Sequence, residues 1–162
     1  MLFLLFQIAN DLYALDTREI VEVLPLVNVK EIPQAPRAVS GLFDYHGVAV
    51  PLVDLSELAH GTPSRRMMST RIVLLRYTDR SEGEQLVLRY GDTGGEEQLL
   101  GLIVEKARAT LRRSEEDFAE SNVAGASFLG GVTRDGDAII QRISVENLLP
   151  GELREQLFQS RR

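Results

Sequence analysis

The sequence predicts a mainly β protein, built as compact barrels or a sandwich. Short apolar runs recur along its 162 residues, separated by clusters of Gly, Pro, Asn, Asp and Ser, which is the signature of many short strands joined by turns. Helical signals are confined to brief stretches, and strands with little helix bury their apolar faces by curling or pairing sheets. The clearest hairpin lies at residues 39–55, VSGLFDYHGVAVPLVDL, where two apolar runs flank a polar reversal.

Apolar residues make up 44% of the chain, enough for a folded core; a chain of this size buries about 70% of its unfolded surface. Cys and Trp are absent, which excludes disulfides and thiolate metal sites and is compatible with a reducing cytoplasm. The formal charge of −6 argues against non-specific nucleic-acid binding. The apolar start, residues 1–6, has no basic lead-in and meets Asn10-Asp11 soon after. It is too short for a signal segment or a membrane span.

In chain order, Leu2–Ile8 is a near-continuous apolar run, expected as a strand buried on both faces. Ala9-Asn10-Asp11 is a turn, and residues 12–15 alternate as a second strand. Asp16 or Thr17 can cap a short helical turn that Pro25 breaks. Leu26, Val27 and Val29 begin another strand ending at Ile32-Pro33, and residues 34–37 (QAPR) form a stiff connector because each proline restricts its predecessor. In the hairpin, Gly47 sits where the reversal wants a positive φ. Gly41 marks a bulge or a close backbone approach, and Pro51 an edge or a kink. Asp54 can cap a helical turn at residues 56–59. Residues 60–69 read as a partly covered polar loop, with Met67-Met68 as an alternative soft contact surface. Residues 71–77, RIVLLRY, form a strand.

Residues 74–86, LLRYTDRSEGEQL, are followed directly by residues 87–99, VLRYGDTGGEEQL. At this offset of 13, seven positions are identical: Leu75/Leu88, Arg76/Arg89, Tyr77/Tyr90, Asp79/Asp92, Glu84/Glu97, Gln85/Gln98 and Leu86/Leu99. The pattern reads as a tandem duplication. It yields either an extra hairpin, with strands at 85–90 and 97–104, or a flexible excursion. Gly94-Gly95 lacks the Lys-Ser/Thr and capped helix of a phosphate loop.

Residues 99–107, LLGLIVEKA, form an apolar strand, and residues 112–122 a charged loop or fraying helix. Residues 129–132 and 137–145 make a hairpin around Thr133-Arg134-Asp135-Gly136. Gln141 and Arg142 interrupt its second strand, which requires either an edge position or a buried partner for Gln141. Pro150 opens a terminal helix over 151–162, with Leu153, Leu157 and Phe158 on one face, expected to dock on the chain's own domain, with partner binding as the alternative.

No catalytic constellation emerges. His46 and His60 lie in separate turns, no H-x-x-H or H-E-x-x-H spacing exists, no G-x-S-x-G elbow is present, and the paired Glu115-Glu116 belongs to a solvated face. The expectation is a non-enzyme with no metal site and no cofactor.

The sequence resembles the CheW family, the coupling proteins of bacterial chemosensory arrays. The family signature reads roughly G-apolar-x-N-L-R-G-x-x-x-P-apolar-x-D-L, and Gly41, Gly47, Pro51, Asp54 and Leu55 fall in the matching places. The flanks FLLFQIANDLYALD, Ile20-Val21-Glu22-Val23 and Ile32-Pro33-Gln34-Ala35-Pro36 agree without gaps, and Glu105 takes the acidic place of a second-half motif. The resemblance implies a single CheW-like domain over 1–162. It also implies two small SH3-like five-stranded β-barrel subdomains packed together, the first at about 12–70 and the second at about 71–149, the latter able to share an N-terminal strand, with a C-terminal helix at 150–162.

The resemblance also implies a cytoplasmic scaffold that bridges a chemoreceptor's cytoplasmic tip and the regulatory domain of a CheA-type histidine kinase, recruited to receptor arrays at the inner membrane and capable of weak self-association. By matched position, Ile20 and Glu22 lie on the segment used against the kinase; if that segment is extended, both point outward while Val21 and Val23 point inward. Gly41, Asp44, Tyr45, His46 and Gly47 match the region tied to receptor and kinase coupling. His46 stands where the family usually has Arg, replacing a fixed-charge bidentate fork with at most one donor per ring nitrogen, and Asp44-Tyr45 replaces Asn-Leu. These departures point toward an alternative chemosensory system, such as a Wsp-like surface-sensing pathway. The competing class, a stand-alone β-barrel ligand- or nucleic-acid-binding module, requires aromatic platforms beside a basic groove; only 6% of residues are aromatic and the charge is acidic.

Overall fold

The structure is a computed structural model that describes residues 1–78, 97–120 and 125–158. The apolar N-terminal run forms β1 (Leu2–Ile8), which turns through Ala9 and Asn10, both at positive φ, into β2 (Asp11–Asp16). Phe3, Phe6 and Ile8 of β1 and Ala14 and Leu15 of β2 are essentially inaccessible to solvent. Asp16 then caps a single 3-10 turn, Thr17–Glu19, by accepting from the Arg18 amide at 2.9 Å.

The expected helical turn stops there. Ile20–Pro25 is a strand, β3, because three β-branched residues in six favour the extended backbone and β6 offers it a ladder. The strand expected from Leu26 does not form. Its residues are held by one bridge, in which the Lys30 amide donates to Leu42 O (2.8 Å) and the Leu42 amide to Lys30 O (2.9 Å).

β4 (Val39–Tyr45) and β5 (Val48–Asp54) form the expected hairpin. Pro51 is buried, and β5 joins its parallel neighbour only from Leu52 onward, so the missing N–H interrupts no pairing there. Asp54 caps α1 (Leu55–His60), accepting from the Ser56 and Glu57 amides. Its carboxylate also accepts from the Ser64 amide (2.9 Å) and hydroxyl (2.6 Å), which ties down the following loop.

β6 (Arg71–Thr78) pairs antiparallel with the long strand β7 (Glu97–Arg112), from Arg71↔Val104 to Thr78↔Glu97. The expected strand at residues 97–104 is thus present, as the first half of β7. The other expected strand of the tandem repeat, at 85–90, lies outside the described residues. β8 (Leu129–Asp135) and β9 (Ala138–Ile143) reverse through Gly136-Asp137, with Asp135 paired to Ala138, so β8 runs three residues further than expected. β9 is not an edge. It lies between β8 and a parallel β2, and its two polar interruptions find partners. Gln141 donates to Gly130 O at 3.2 Å. Arg142 pairs with Glu115 (3.0 Å) and Asp16 (3.7 Å), with its guanidinium over the rings of Phe3 and Phe118. α2 (Gly151–Leu157) docks on its own chain: Leu153 is buried in the main core and Phe158 stacks on Tyr77 with ring centroids 5.5 Å apart.

The described strands assort into two five-stranded units that share β7. One runs β3-β6-β7-β5-β4 and the other β7-β1-β2-β9-β8. The fold is consistent with paired SH3-like barrels, although the sheet does not close. The expected division near residue 70 does not follow the pairing: β6 belongs with β3–β5, and β2 with β8 and β9. The reason is β7, whose first half pairs with β5 and β6 and whose second half pairs with β1. It changes sheets at a bulge, where two steps from Leu5 to Gln7 face four from Ala109 to Glu105 and Lys106 takes φ 49°. Glu105, at the changeover, is buried and accepts from the Arg65 amide at 2.6 Å.

Candidate functional site

The hairpin tip is a two-residue reversal. Tyr45 pairs with Val48, and His46 and Gly47 between them take φ 48° and 85°. Positive φ at both central residues is the turn whose twist matches the flanking strands; glycine adopts it freely and histidine more readily than β-branched residues do. The tip stands clear of the body, since a Cβ built on Gly47 meets nothing within 4 Å. Asp44, His46, Gly47, Val48 and Ala49 are all exposed.

Gly41 sits at the other end of β4 and is buried, with φ 142°. A Cβ there would lie 2.1 Å from Lys30 O. The glycine is what lets residues 26–32 reach across and bridge to Leu42. Of the two alternatives read from sequence, both occur together: a close backbone approach and a register shift between Val39 and Gly41.

Tyr45 connects the tip to β3. Its ring packs on a secondary core of Phe43, Val50, Leu52, Ile72, Leu74 and Ile103, which Val21 and Leu24 of β3 also cover. Its hydroxyl donates to Glu22 Oε2 at 2.7 Å, across 23 residues of sequence. That bond to a carboxylate is the main reason the Tyr45 hydroxyl is pushed above its usual range. The His46 ring meets the Tyr45 ring edge-on, with centroids 4.4 Å apart and planes at 76°. The structure therefore brings together Glu22, Tyr45, His46 and Gly47.

Ile20 is not part of this group, and its expected outward orientation with Glu22 is corrected. The ladder runs Ile20↔Leu75, then Glu22↔Leu74 and Val23↔Val73, leaving Val21 as an extra residue. Residues paired across a ladder share a face. The bulge at Val21 therefore puts Ile20 on the side of Leu75 and the main core, where it packs half-buried, and Glu22 on the other side. Val23, expected inward, pairs with Val73 on that same core side yet is 40% exposed. Sequence reading also missed Val48, 51% exposed beside Tyr45; the two-residue His-Gly turn was the signal, since it makes Val48 a tip residue. The loop before β6 is tied at its base by Ser64 and Arg65, yet Met68 is 95% exposed, against the expectation of a partly covered pair.

Chemically, this surface offers a carboxylate, an imidazole and an apolar fringe, suited to contact with another macromolecule. Among the described residues, no group of three or more His, Asp or Glu side chains is placed to hold a metal ion.

The family model described as the CheW-like domain matches residues 2–152. The chemotaxis protein CheW of Treponema pallidum is 22% identical over 156 residues, spanning 94% of this chain and 84% of that protein. The chemotaxis protein CheW of Helicobacter pylori is 21% identical over 151 residues, spanning 91% and 80%. Among solved structures, the scaffolding protein TtCheW from Thermoanaerobacter tengcongensis matches with a TM-score of 0.76 at 21% identity, covering 94% of this chain and 89% of that one. At that identity the likeness shows a common fold.

Proposed function

The chain belongs to the CheW-like family, and from that membership we propose that it works as a non-catalytic coupling scaffold in a bacterial chemosensory pathway. The observation that carries the reading is the extent of the family match, 2–152, which takes in every described strand of both units. A scaffold acts through differential contacts: it transmits a receptor's conformational bias to a kinase only if its contacts differ between the two states.

The partners we assign are a chemoreceptor's cytoplasmic tip and the regulatory domain of a CheA-type histidine kinase. Glu22 and the exposed edge of β3 are offered to the kinase, and Asp44, Tyr45, His46 and Gly47 to receptor and kinase coupling. Gly41 contributes by seating the hairpin. Ile20 supports β3 from beneath, and Val23 takes its place as the exposed apolar residue of that edge. No described helix is long and apolar enough to cross a membrane, and recruitment to arrays on the cytoplasmic face would come from receptor contact. The acidic chain and low aromatic content do not favour a nucleic-acid module.

The test is reconstitution. Purified chain is mixed with a soluble receptor cytoplasmic fragment and the CheA-type kinase from the same organism, and kinase autophosphorylation is followed. Receptor control of the kinase that appears only when the chain is present supports the scaffold reading. Failure of the chain to associate with either protein in sedimentation overturns it, and binding of single-stranded oligonucleotides at low salt would favour the competing module. Sedimentation of the chain alone reads the proposed weak self-association.

A further inference from the structure

The first five-stranded unit is open between β3 and β4. Its order, β3-β6-β7-β5-β4, puts these two strands at opposite ends, and β4 forms a ladder only with β5. Two links among the described residues bear on this opening. One is the Lys30–Leu42 backbone bridge, which ties the arm that follows β3 to β4 near the base of the hairpin. The other is the Tyr45 hydroxyl on Glu22 at the tip. Beyond Tyr45, the His46 ring is seated edge-on against the tyrosine. Glu22, Tyr45 and His46 thus form one continuous line of contact from the exposed edge of β3 to the exposed turn.

We infer that Tyr45 is a positioning residue that couples two binding surfaces: the β3 edge and the hairpin tip do not bind their partners independently. The inference rests on the scaffold reading above and adds to it the residue that carries the coupling. A partner that engages Glu22, or shifts the β3 edge, changes the acceptor of the Tyr45 hydroxyl. The phenol then reorients, and the His46 ring packed on it moves with it. The converse holds for a partner gripping the tip, because coupling between two binding equilibria is reciprocal. The link is suited to this role. A hydrogen bond to a carboxylate is strong enough to set a side-chain orientation, yet at an exposed position it exchanges for water without disturbing the core. The phenol ring stays anchored on the secondary core, which Val21 and Leu24 of β3 also cover, so what moves is confined to the hydroxyl end and the turn.

The measurement is a coupling factor: the affinity of a soluble receptor cytoplasmic fragment for the full chain, divided into the same affinity at saturating kinase regulatory domain, both partners taken from the same organism. The factor for the unaltered chain is expected at about fivefold or more, the lower end of ordinary allosteric coupling. Tyr45→Phe keeps the ring and loses the donor. It should bring the factor to within about twofold of one, the spread of independent sites, with an unchanged melt. Glu22→Ala removes the acceptor from the other side and should do the same. Adding it to Tyr45→Phe should change the factor no further, since the two act through one bond. A factor retained in both variants overturns the inference, as does a factor near one in the unaltered chain. Binding of neither partner by the unaltered chain is a different failure and overturns the scaffold reading itself.

Discussion

Replacing Gly41 with alanine tests how the candidate surface is held in place. The backbone there has φ 142°, a region that an L side chain enters at a cost of about 1–3 kcal/mol. The new methyl would also stand 2.1 Å from Lys30 O and 2.8 Å from a Val29 methyl, distances at which something must shift. Separating the arm at residues 29–30 from β4 breaks the two backbone bonds that join Lys30 to Leu42, worth about 1 kcal/mol each net. Together these give a destabilisation of about 3–5 kcal/mol, against a total stability of about 5–15 kcal/mol for a native domain. For a chain of this size each kcal/mol lowers Tm by about 2–4 °C, so Gly41→Ala should melt about 6–20 °C below the parent. Circular dichroism on a thermal ramp, paired with urea unfolding at one temperature, reads this directly. A Tm within about 2 °C of the parent would mean that the arm does not lean on Gly41 and that the hairpin is positioned by something else.

Three further outcomes follow from the same geometry. Deleting residues 87–99 leaves Glu84-Gln85-Leu86 in front of Leu100, the same three residues that open β7 opposite Arg76, Tyr77 and Thr78; the variant should stay soluble and melt cooperatively, since a change in connection length from 18 residues (79–96) to five (79–83) moves closure entropy by only about 1 kcal/mol, and loss of the cooperative melt would show the second copy to be integral to the sheet. Ile20→Arg should now lower stability by about 1–3 kcal/mol, because Ile20 packs on the main core, while Val23→Arg should leave the melt unchanged and weaken kinase binding; a melt insensitive to Ile20→Arg would refute the bulge assignment. For Asp16, burial raises the carboxyl, but hydrogen bonds from the Arg18 side chain and amide outweigh it, and with the charges of Arg18 and Arg142 they hold the group below the usual carboxylate range. A depressed folded pKa contributes stability above the unfolded value, about 3.9, and loses it as pH falls through the folded one. Urea midpoints between pH 6 and pH 3 should therefore fall less steeply for Asp16→Asn than for the parent, and identical slopes would count against the Asp16–Arg18 pairing.

Much of the first unit is legible in local sequence because its determinants are local. The Asp54 cap needs only Ser56 and Glu57, the tip needs only His46-Gly47, and the Gly41 approach is foreshadowed by a glycine inside an apolar strand. The features that escaped are those set by distant partners. Nothing in Ile20-Val21-Glu22-Val23 marks a bulge; strict alternation is the natural reading, and the extra residue appears only once β6 fixes the register. The bond from Tyr45 to Glu22 spans 23 residues and has no local signature. The assignment of β6 to the first unit depends on β7 running through both, which no single stretch of sequence encodes. Arg142 looked like an interruption in an apolar strand because its aromatic and acidic surroundings come from β1, β2 and the turn at Glu115.

The shared strand has a mechanical consequence. β7 is 16 residues long, about 50 Å at the usual rise per residue, and it is laced to β5 and β6 at one end and to β1 at the other. A load applied along it is borne by many ladder bonds at once, in shear, and passes to the far unit through the bulge at Lys106. A load that lifts α2 away from Tyr77 meets its contacts one after another, as in peeling tape. The molecule is therefore stiff along one axis and yielding across it. Such a part behaves as a strut: a push on one unit is felt by the other as displacement, with the terminal helix giving way first.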